Sequence, residues 1–292
     1  MSKKYSRRMF VKISGVACTS VGATQVVGAA DTTTHPTTQS EGIDAKIENL
    51  IRNNKIEQVS KILDEYGISN ACTKKLVDYN SETGEAKSVT VPVQGGQTLV
   101  QPTDEWDKSS STVSRSTYHK NSDTDLWGTS LDWELGDGGD AGEGQFEDNR
   151  PHDGIQLSFS TDDWDHKSGD AWVSPDWDSN VDCACSKGAQ IDNKAGNGIG
   201  VIYDDPNNPA MEDITTTTSG SAHMSVWRQD DNRSHTLYGS YTHTWSTADV
   251  TGLNFTYDST PIGVGVGIGS YSWEKKVDHI VKPNNEVEVD RY

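Results

Sequence analysis

The sequence predicts a mainly β protein: an antiparallel β-sandwich or jelly-roll-like domain preceded by a small helical segment. Three observations carry that expectation. The apolar period changes from 3.6 to 2 near residue 103. Short segments of strand character follow with no helical pattern between them. The links between those segments are rich in turn residues, as in Gly136-Asp137-Gly138-Gly139-Asp140 and Asp204-Asp205-Pro206-Asn207-Asn208-Pro209.

Taken in order, residues 1–30 read as an address. Ser6-Arg7-Arg8-Met9-Phe10-Val11-Lys12 is followed by a weakly apolar stretch, Ile13 to Val27, and by the small residues Gly28-Ala29-Ala30. This order resembles a twin-arginine signal peptide, the export route for proteins that are already folded, and it implies a secreted, extracellular protein. Cys18, after Gly15-Val16-Ala17, offers a weaker reading as a lipid-attachment site. Residues 31–40 form a Thr-rich linker.

Residues 41–79 read as the helical segment. Ile47, Leu50 and Ile51 make one apolar stripe, and Val59, Ile62, Leu63 and Tyr66 a second. Asn53-Asn54 breaks the phase, and Gly67 stands where a glycine ends a helix. Ile68, Cys72 and Leu76 recur every four residues, which suggests a third helix from Ser69. Residues 80–103 read as a connector with one short strand over 88–93. The β domain spans 104–282, with strands expected at 126–135, 154–160, 198–203, 223–228, 236–246, 253–257, 262–269 and 271–277. Residues 283–292 read as a polar tail.

Charge narrows the partners. The chain of 292 residues has a formal charge of −19, and its first thirty residues hold basic side chains and no acid. Such an excess repels phosphate backbones, so nucleic acid is not expected as a partner. Nine Trp and ten Tyr argue against an unstructured chain. The scattered acids fit adaptation to molar salt, where screening removes self-repulsion. With the signal, the chain resembles a secreted protein of a halophilic archaeon, a resemblance that carries no activity. No apolar run after the signal is long enough for a transmembrane helix.

Several residue groups are candidates for chemistry. Cys72, Cys183 and Cys185 remain after signal removal; a bond from Cys72 to one of the other two is the easier pairing and would staple the helical segment to the β domain. Asp132 and Glu134 share a strand face, and with Asp137 they give Asp-x-Glu-x-x-Asp. That pattern is distantly similar to the acidic motif of jelly-roll glycanases, which implies general-acid and nucleophile roles, although those enzymes carry Glu at the outer positions. Asp137, Asp140 and Glu143 lie in a Gly-acid loop able to wrap calcium, the only cofactor suggested. Trp164, Trp172 and Trp177 stand among aspartates, as on faces that stack against sugars. Asn232 and Asn254 satisfy the acceptor pattern for N-linked glycan. Nucleotide loops, zinc-protease and α/β-hydrolase motifs do not occur.

One segment alternates without fault: Ile262-Gly263-Val264-Gly265-Val266-Gly267-Ile268-Gly269. Packing of its bare face against aromatic rings is one reading. A membrane-inserting hairpin of a secreted toxin is the other. Three functions follow. The first expectation is a non-enzymatic extracellular protein that binds glycan or a cell-surface component. The alternatives are a halocin-like antimicrobial or pore-forming toxin, with the helical segment as a removable pro-region, and an extracellular glycan hydrolase.

Overall fold

Both expected helices form, and each buries the stripe that predicts it. α1 runs Thr37–Arg52 and α2 runs Ile56–Glu65. Asn54 takes a left-handed φ of 53° between them, and Gly67 ends the second at φ 63°. There Ile68 N–H donates to Leu63 O at 2.9 Å and Gly67 N–H to Asp64 O at 3.1 Å, so the terminal carbonyls are capped. These coordinates come from a computed structural model that describes residues 37–79, 86–98, 111–134, 153–174, 189–195, 197–203, 219–245, 253–255, 264–266 and 271–290.

The strands follow in chain order: β1 (Asn70–Tyr79), β2 (Ala86–Gln94), β3 (Gln97–Thr98), β4 (Ser111–Asn121), β5 (Leu126–Glu134) and β6 (Asp153–Phe159). Next come β7 (Trp164–His166), β8 (Trp172–Ser174), β9 (Ala189–Ala195), β10 (Gly198–Tyr203), β11 (Ser219–Arg228) and β12 (His235–Trp245). The last are β13 (Leu253–Phe255), β14 (Val264–Val266), β15 (Tyr271–Lys276), β16 (His279–Val281) and β17 (Val287–Val289). They make two antiparallel sheets. One has the order β3-β2-β1-β4-β5-β11-β7, with β8 also on β11; the other runs β17-β16-β12-β6-β10-β9, with β15 also on β12. β13 and β14 form a separate two-stranded sheet.

The core lies between the two large sheets. Trp127, Leu131 and Trp133 of β5 meet Ile155, Leu157 and Phe159 of β6 there, together with Met224 and Tyr241. Alternation along each strand sets which side chains point inward. The other face of the larger sheet is covered by the helices: Ile47, Ile51, Ile56, Val59 and Leu63 pack with Cys72, Val93 and Tyr118. β5 is therefore buried on both faces.

Four boundaries differ from the sequence reading. The third helix is a strand, β1, paired with β2 and β4. A four-residue recurrence fits period 2 as well as period 3.6, and Thr73, Lys75 and Val77 fill the alternate face that a helix would have left polar. The connector is the edge of a sheet, with β2 and β3 in it. The linker runs into α1 from Thr37. The polar tail holds β17, paired with β16. All described residues belong to one compact unit, Thr37–Tyr292, so the helices are a layer of the sandwich and not a separate domain.

The far end of the sandwich is pinned by one ion pair. Arg228, whose side chain is nearly sealed from solvent, donates from Nε to Asp125 Oδ2 at 2.9 Å and from Nη1 to Lys282 O at 3.0 Å. Burial pushes the Asp125 carboxyl up, but His119, Arg228 and the Trp127 N–H outweigh it and hold the carboxyl well below its ordinary range. Asp125 therefore stabilises the fold above its unfolded pKa and loses that contribution as pH falls toward strong acid. Asp125→Ala is expected to cost about 3 kcal/mol, because Arg228 keeps a buried charge without its partner. Urea titration at neutral pH checks this, and a loss within error of zero would contradict it.

Candidate functional site

The feature with most functional content is built at the end of one hairpin. β12 and β15 pair from Ser240↔Lys276 to Trp245↔Tyr271, so the chain leaves the sheet at Trp245 and returns at Tyr271. Residues 246–270 are inserted between two hydrogen-bonded neighbours. Within them β13 and β14 pair as Leu253↔Val266, Asn254↔Gly265 and Phe255↔Val264. Apolar positions stand opposite apolar positions, and the polar one stands opposite glycine. A slip of one residue would set Leu253 against a glycine, so the alternation itself selects this register or one differing from it by an even number.

Where the insert rests is informative. β14 lies against β6 and β12. The outer positions of those strands are Gln156, Ser158, Ser240 and Thr242, and none of the four is more than 5 % exposed. This bed is polar. Thr242 Oγ1 has no hydrogen-bond partner among the described residues. A polar bed returns little hydrophobic free energy on docking, and an unpartnered hydroxyl costs some of it.

The stem beneath is held firmly. β15 and β16 lie along the same side of β12, joined through Val277 and Asp278. There Arg115 of β4 crosses from the opposite sheet and donates from Nη1 to Val277 O and from Nη2 to Thr129 Oγ1, the latter at 3.1 Å. Lys75 Nζ donates to Lys276 O at 2.6 Å. His279 is bracketed by Thr117 at Nδ1 and Thr73 at Nε2, and burial keeps its imidazole neutral, well below its ordinary pKa. At the upper end of the stem, Tyr241 donates to Asp153, and His243 Nδ1 lies 3.0 Å from the same carboxylate. Trp133 packs edge-on against Tyr203 at 5.1 Å and over Tyr241 at 5.9 Å.

The other sequence candidates are scattered. Asp132 is 3 % exposed under the helices, whereas Glu134 is exposed at the strand end, so the two carboxyls do not share a cleft. Asp137 lies outside the described residues, as do Asp140 and Glu143 of the calcium loop. Among the described residues no group of three or more His, Cys, Asp or Glu gathers to hold a metal. Trp164 is not a sugar platform: it is sealed in the core, edge-on to Trp127 at 6.5 Å. Trp172 is engaged by the Arg52 guanidinium, 3.6 Å above its ring, and by His223 stacked at 5.1 Å. Trp177 lies outside the described residues.

Cys72 is a free, buried thiol whose pKa is pushed up by burial, and its expected partners Cys183 and Cys185 lie outside the described residues. Cys72 faces the helix layer from β1, which holds the helices by packing. Asn232 is exposed in a turn, and Asn254 sits in β13. Arg7, Arg8 and Cys18 lie outside the described residues. No helix among the described residues is long and apolar enough to cross a membrane. The bed residues escaped sequence reading, because a serine on an alternating strand reads as solvent-facing.

Fold and site define a class: a two-sheet antiparallel sandwich carrying a docked hairpin. No family model matches the chain, and no curated protein matches it. Among solved structures it is similar to the Clostridium perfringens NetB toxin in the membrane inserted form, over 75 % of this chain and 100 % of that one, at 9 % identity and a TM-score of 0.29. At that TM-score the likeness carries no argument.

Proposed function

We propose that the protein is exported and forms pores, with residues 246–270 of each copy crossing a membrane as a β-hairpin. One observation carries this reading: Val264–Val266 of the alternating run pair with Leu253–Phe255 as their own two-stranded sheet within the β12–β15 connection, and this sheet lies against β6 and β12, whose outer positions are polar. A transmembrane strand takes about 9–11 residues, and the insert is long enough for two with a turn. One hairpin leaves open edges that hydrocarbon cannot satisfy, so several copies must close a barrel. Trp245 and Tyr271, at the exit of the ladder, fall where interfacial aromatics stand.

Export through the twin-arginine route and adaptation to high salt belong to the same proposal. They are supported by Arg7-Arg8 and by the acid excess. Screening at molar salt lets strongly acidic copies assemble side by side. Binding to a cell surface becomes the step that precedes insertion rather than the whole function.

The experiment is release of an enclosed dye from phosphatidylcholine–phosphatidylglycerol vesicles in molar KCl. The purified protein is expected to empty them. Val266→Asp is expected to leave the melting temperature unchanged and abolish release, because a charge on the lipid-facing side is unfavourable near the midplane in every copy of the barrel. Intact vesicles with the unsubstituted protein, or full release with Val266→Asp, would remove the proposal.

A further inference from the structure

We propose that Ser221 and Asp132 form a latch for α1. While Asp132 is neutral, the Ser221 hydroxyl holds the last turn of the helix; when Asp132 ionises, the hydroxyl turns to the carboxylate and α1 lifts as a lid. One proton has several acceptors there. Ser221 Oγ lies 2.8 Å from Ile51 O and 3.1 Å from Asn54 Oδ1, so it donates from the sheet to the helix layer. Directly opposite Ser221 in the β5–β11 ladder stands Asp132. A hydroxyl has a single hydrogen to donate, so these acceptors compete for it. Ile51 O also takes the Asn54 N–H at 2.9 Å, which ties it to its own turn, whereas Ser221 ties it to the sheet.

The charge on Asp132 decides that competition, because an ionised acceptor makes the stronger hydrogen bond. Asp132 Oδ1 has no partner among the described residues, and Ser130 Oγ stands 3.5 Å from Oδ2. The cations on the surrounding elements are engaged elsewhere. Lys74 of β1 pairs with Glu57 of α2, Lys120 of β4 with Glu48 of α1 and Asp170, and Arg52 of α1 lies over the Trp172 ring. Lys46, Lys55 and Glu134 are exposed, and Asp64 takes the Asn70 amide and the Gly95 N–H. Burial keeps Cys72, Tyr118 and His223 neutral. Asp44 of α1 is raised to about 6 by burial, against the pull of Lys120. Asp132 itself is raised to about 8 by burial, with Ser221 and Ser130 opposing only in part. The closed lid thus keeps a proton that the open lid gives up. Closure is full below the ordinary carboxyl range and weakens as pH rises toward about 8.

α1 can move without disturbing the sandwich core. Its buried Ile47 and Ile51 belong to the cluster shared with α2, Cys72, Val93 and Tyr118, apart from the cluster between the sheets. α2 stays tied to the sheet by Ser60 Oγ, which donates to Val93 O at 3.2 Å, and by the Glu57–Lys74 pair. Asn54, at φ 53°, is the joint between the two helices. On the helix side the sheet presents Ser130, His223 and Ser225, so wetting it forfeits little hydrophobic free energy. His223 Nδ1, Tyr118 OH and Trp172 Nε1 have no partner among the described residues and gain water when the lid opens.

Hydrogen exchange read by mass spectrometry on the whole chain tests the latch, which does not depend on pore formation. Parent and Asp132→Asn are compared at equal pH, so the intrinsic pH dependence of exchange and the contribution of Asp44 cancel in their ratio. Over residues 47–52 the parent's exchange relative to the variant's is expected to rise about fiftyfold from pH 6 to pH 8. Linkage gives that factor for a carboxyl with a pKa of about 8 when closed and about 4 when open. β6 and β12 are expected to stay protected, since the lid opens alone. Ser221→Ala is expected to speed exchange over residues 47–52 by about fivefold at pH 6, the worth of one hydrogen bond. A constant ratio between parent and Asp132→Asn, or β6 accelerating together with α1, overturns the lid. Unchanged α1 exchange in Ser221→Ala overturns the latch.

Discussion

Arg115→Ala is expected to lower stability by about 3–5 kcal/mol, the usual loss when one partner of a buried charged network is removed. Arg115 is fully buried, and its fork joins β4 to the carbonyl of Val277 and to Thr129. Burial pushes its pKa down to about 10, so it stays charged at any physiological pH. Asp278 lies 4.0 Å away and accepts the Gly239 N–H at 3.1 Å. Truncation would leave Val277 O without this donor and Asp278 without its compensating cation. Gly239 is part of the same device, since a Cβ there would lie 2.5 Å from Arg115 Nη1. Guanidinium titration of both proteins measures the effect, and a midpoint change worth less than about 1 kcal/mol would contradict the account. On the proposed pore reading, the strut would hold β15 in place while residues 246–270 enter the membrane.

Asp132→Asn is expected to act in the opposite sense and to be pH-dependent. Asp132 is buried beneath the helices, where burial raises its pKa to about 8 against partial opposition from Ser221 and Ser130. Ser130 Oγ is 3.5 Å from Oδ2, and Asp132 Oδ1 has no partner among the described residues. The Ser221 hydroxyl already donates to Ile51 O at 2.8 Å. A carboxylate so poorly served by donors is more stable as the neutral acid. The folded state therefore holds a proton that the unfolded state releases near pH 4. Stability from this site is full below that pH, declines as pH rises toward about 8, and is level above it, with a slope of at most about 1.4 kcal/mol per pH unit. Asparagine keeps the shape and has no proton to lose. The variant is expected to exceed the parent by about 2 kcal/mol or more near pH 8 and to converge on it near pH 4. Parallel stability curves for the two proteins across that range would refute the assignment.

The same residue shows how far the sequence carried. Asp132 and Glu134 read as neighbours on one strand face, and they are; period 2 guarantees it. What the strand could not report is that the helices roof one of them. Ser114, Ser116, Ser130 and Ser221 stand on the strand face turned away from the sandwich core, where period 2 alone places solvent-facing side chains, yet each is buried. Their small size lets a helix layer approach, and only the tertiary arrangement supplies that layer. The Trp/Asp stretch misled for the related reason that Trp164 points inward from a short strand.

Local chemistry was enough for the class of fold, for both helices with their Asn-Asn break and Gly67 stop, and for the strand positions from β5 onward that carry strong alternation, because those signals act over a few residues. The alternation of residues 262–269 was legible for the same reason. The contact of β14 with β6 and β12 and the Arg115 strut depend on which strands lie side by side. Pairing partners distant in the chain are chosen by the summed burial of the whole sandwich, and no short window of sequence contains that sum.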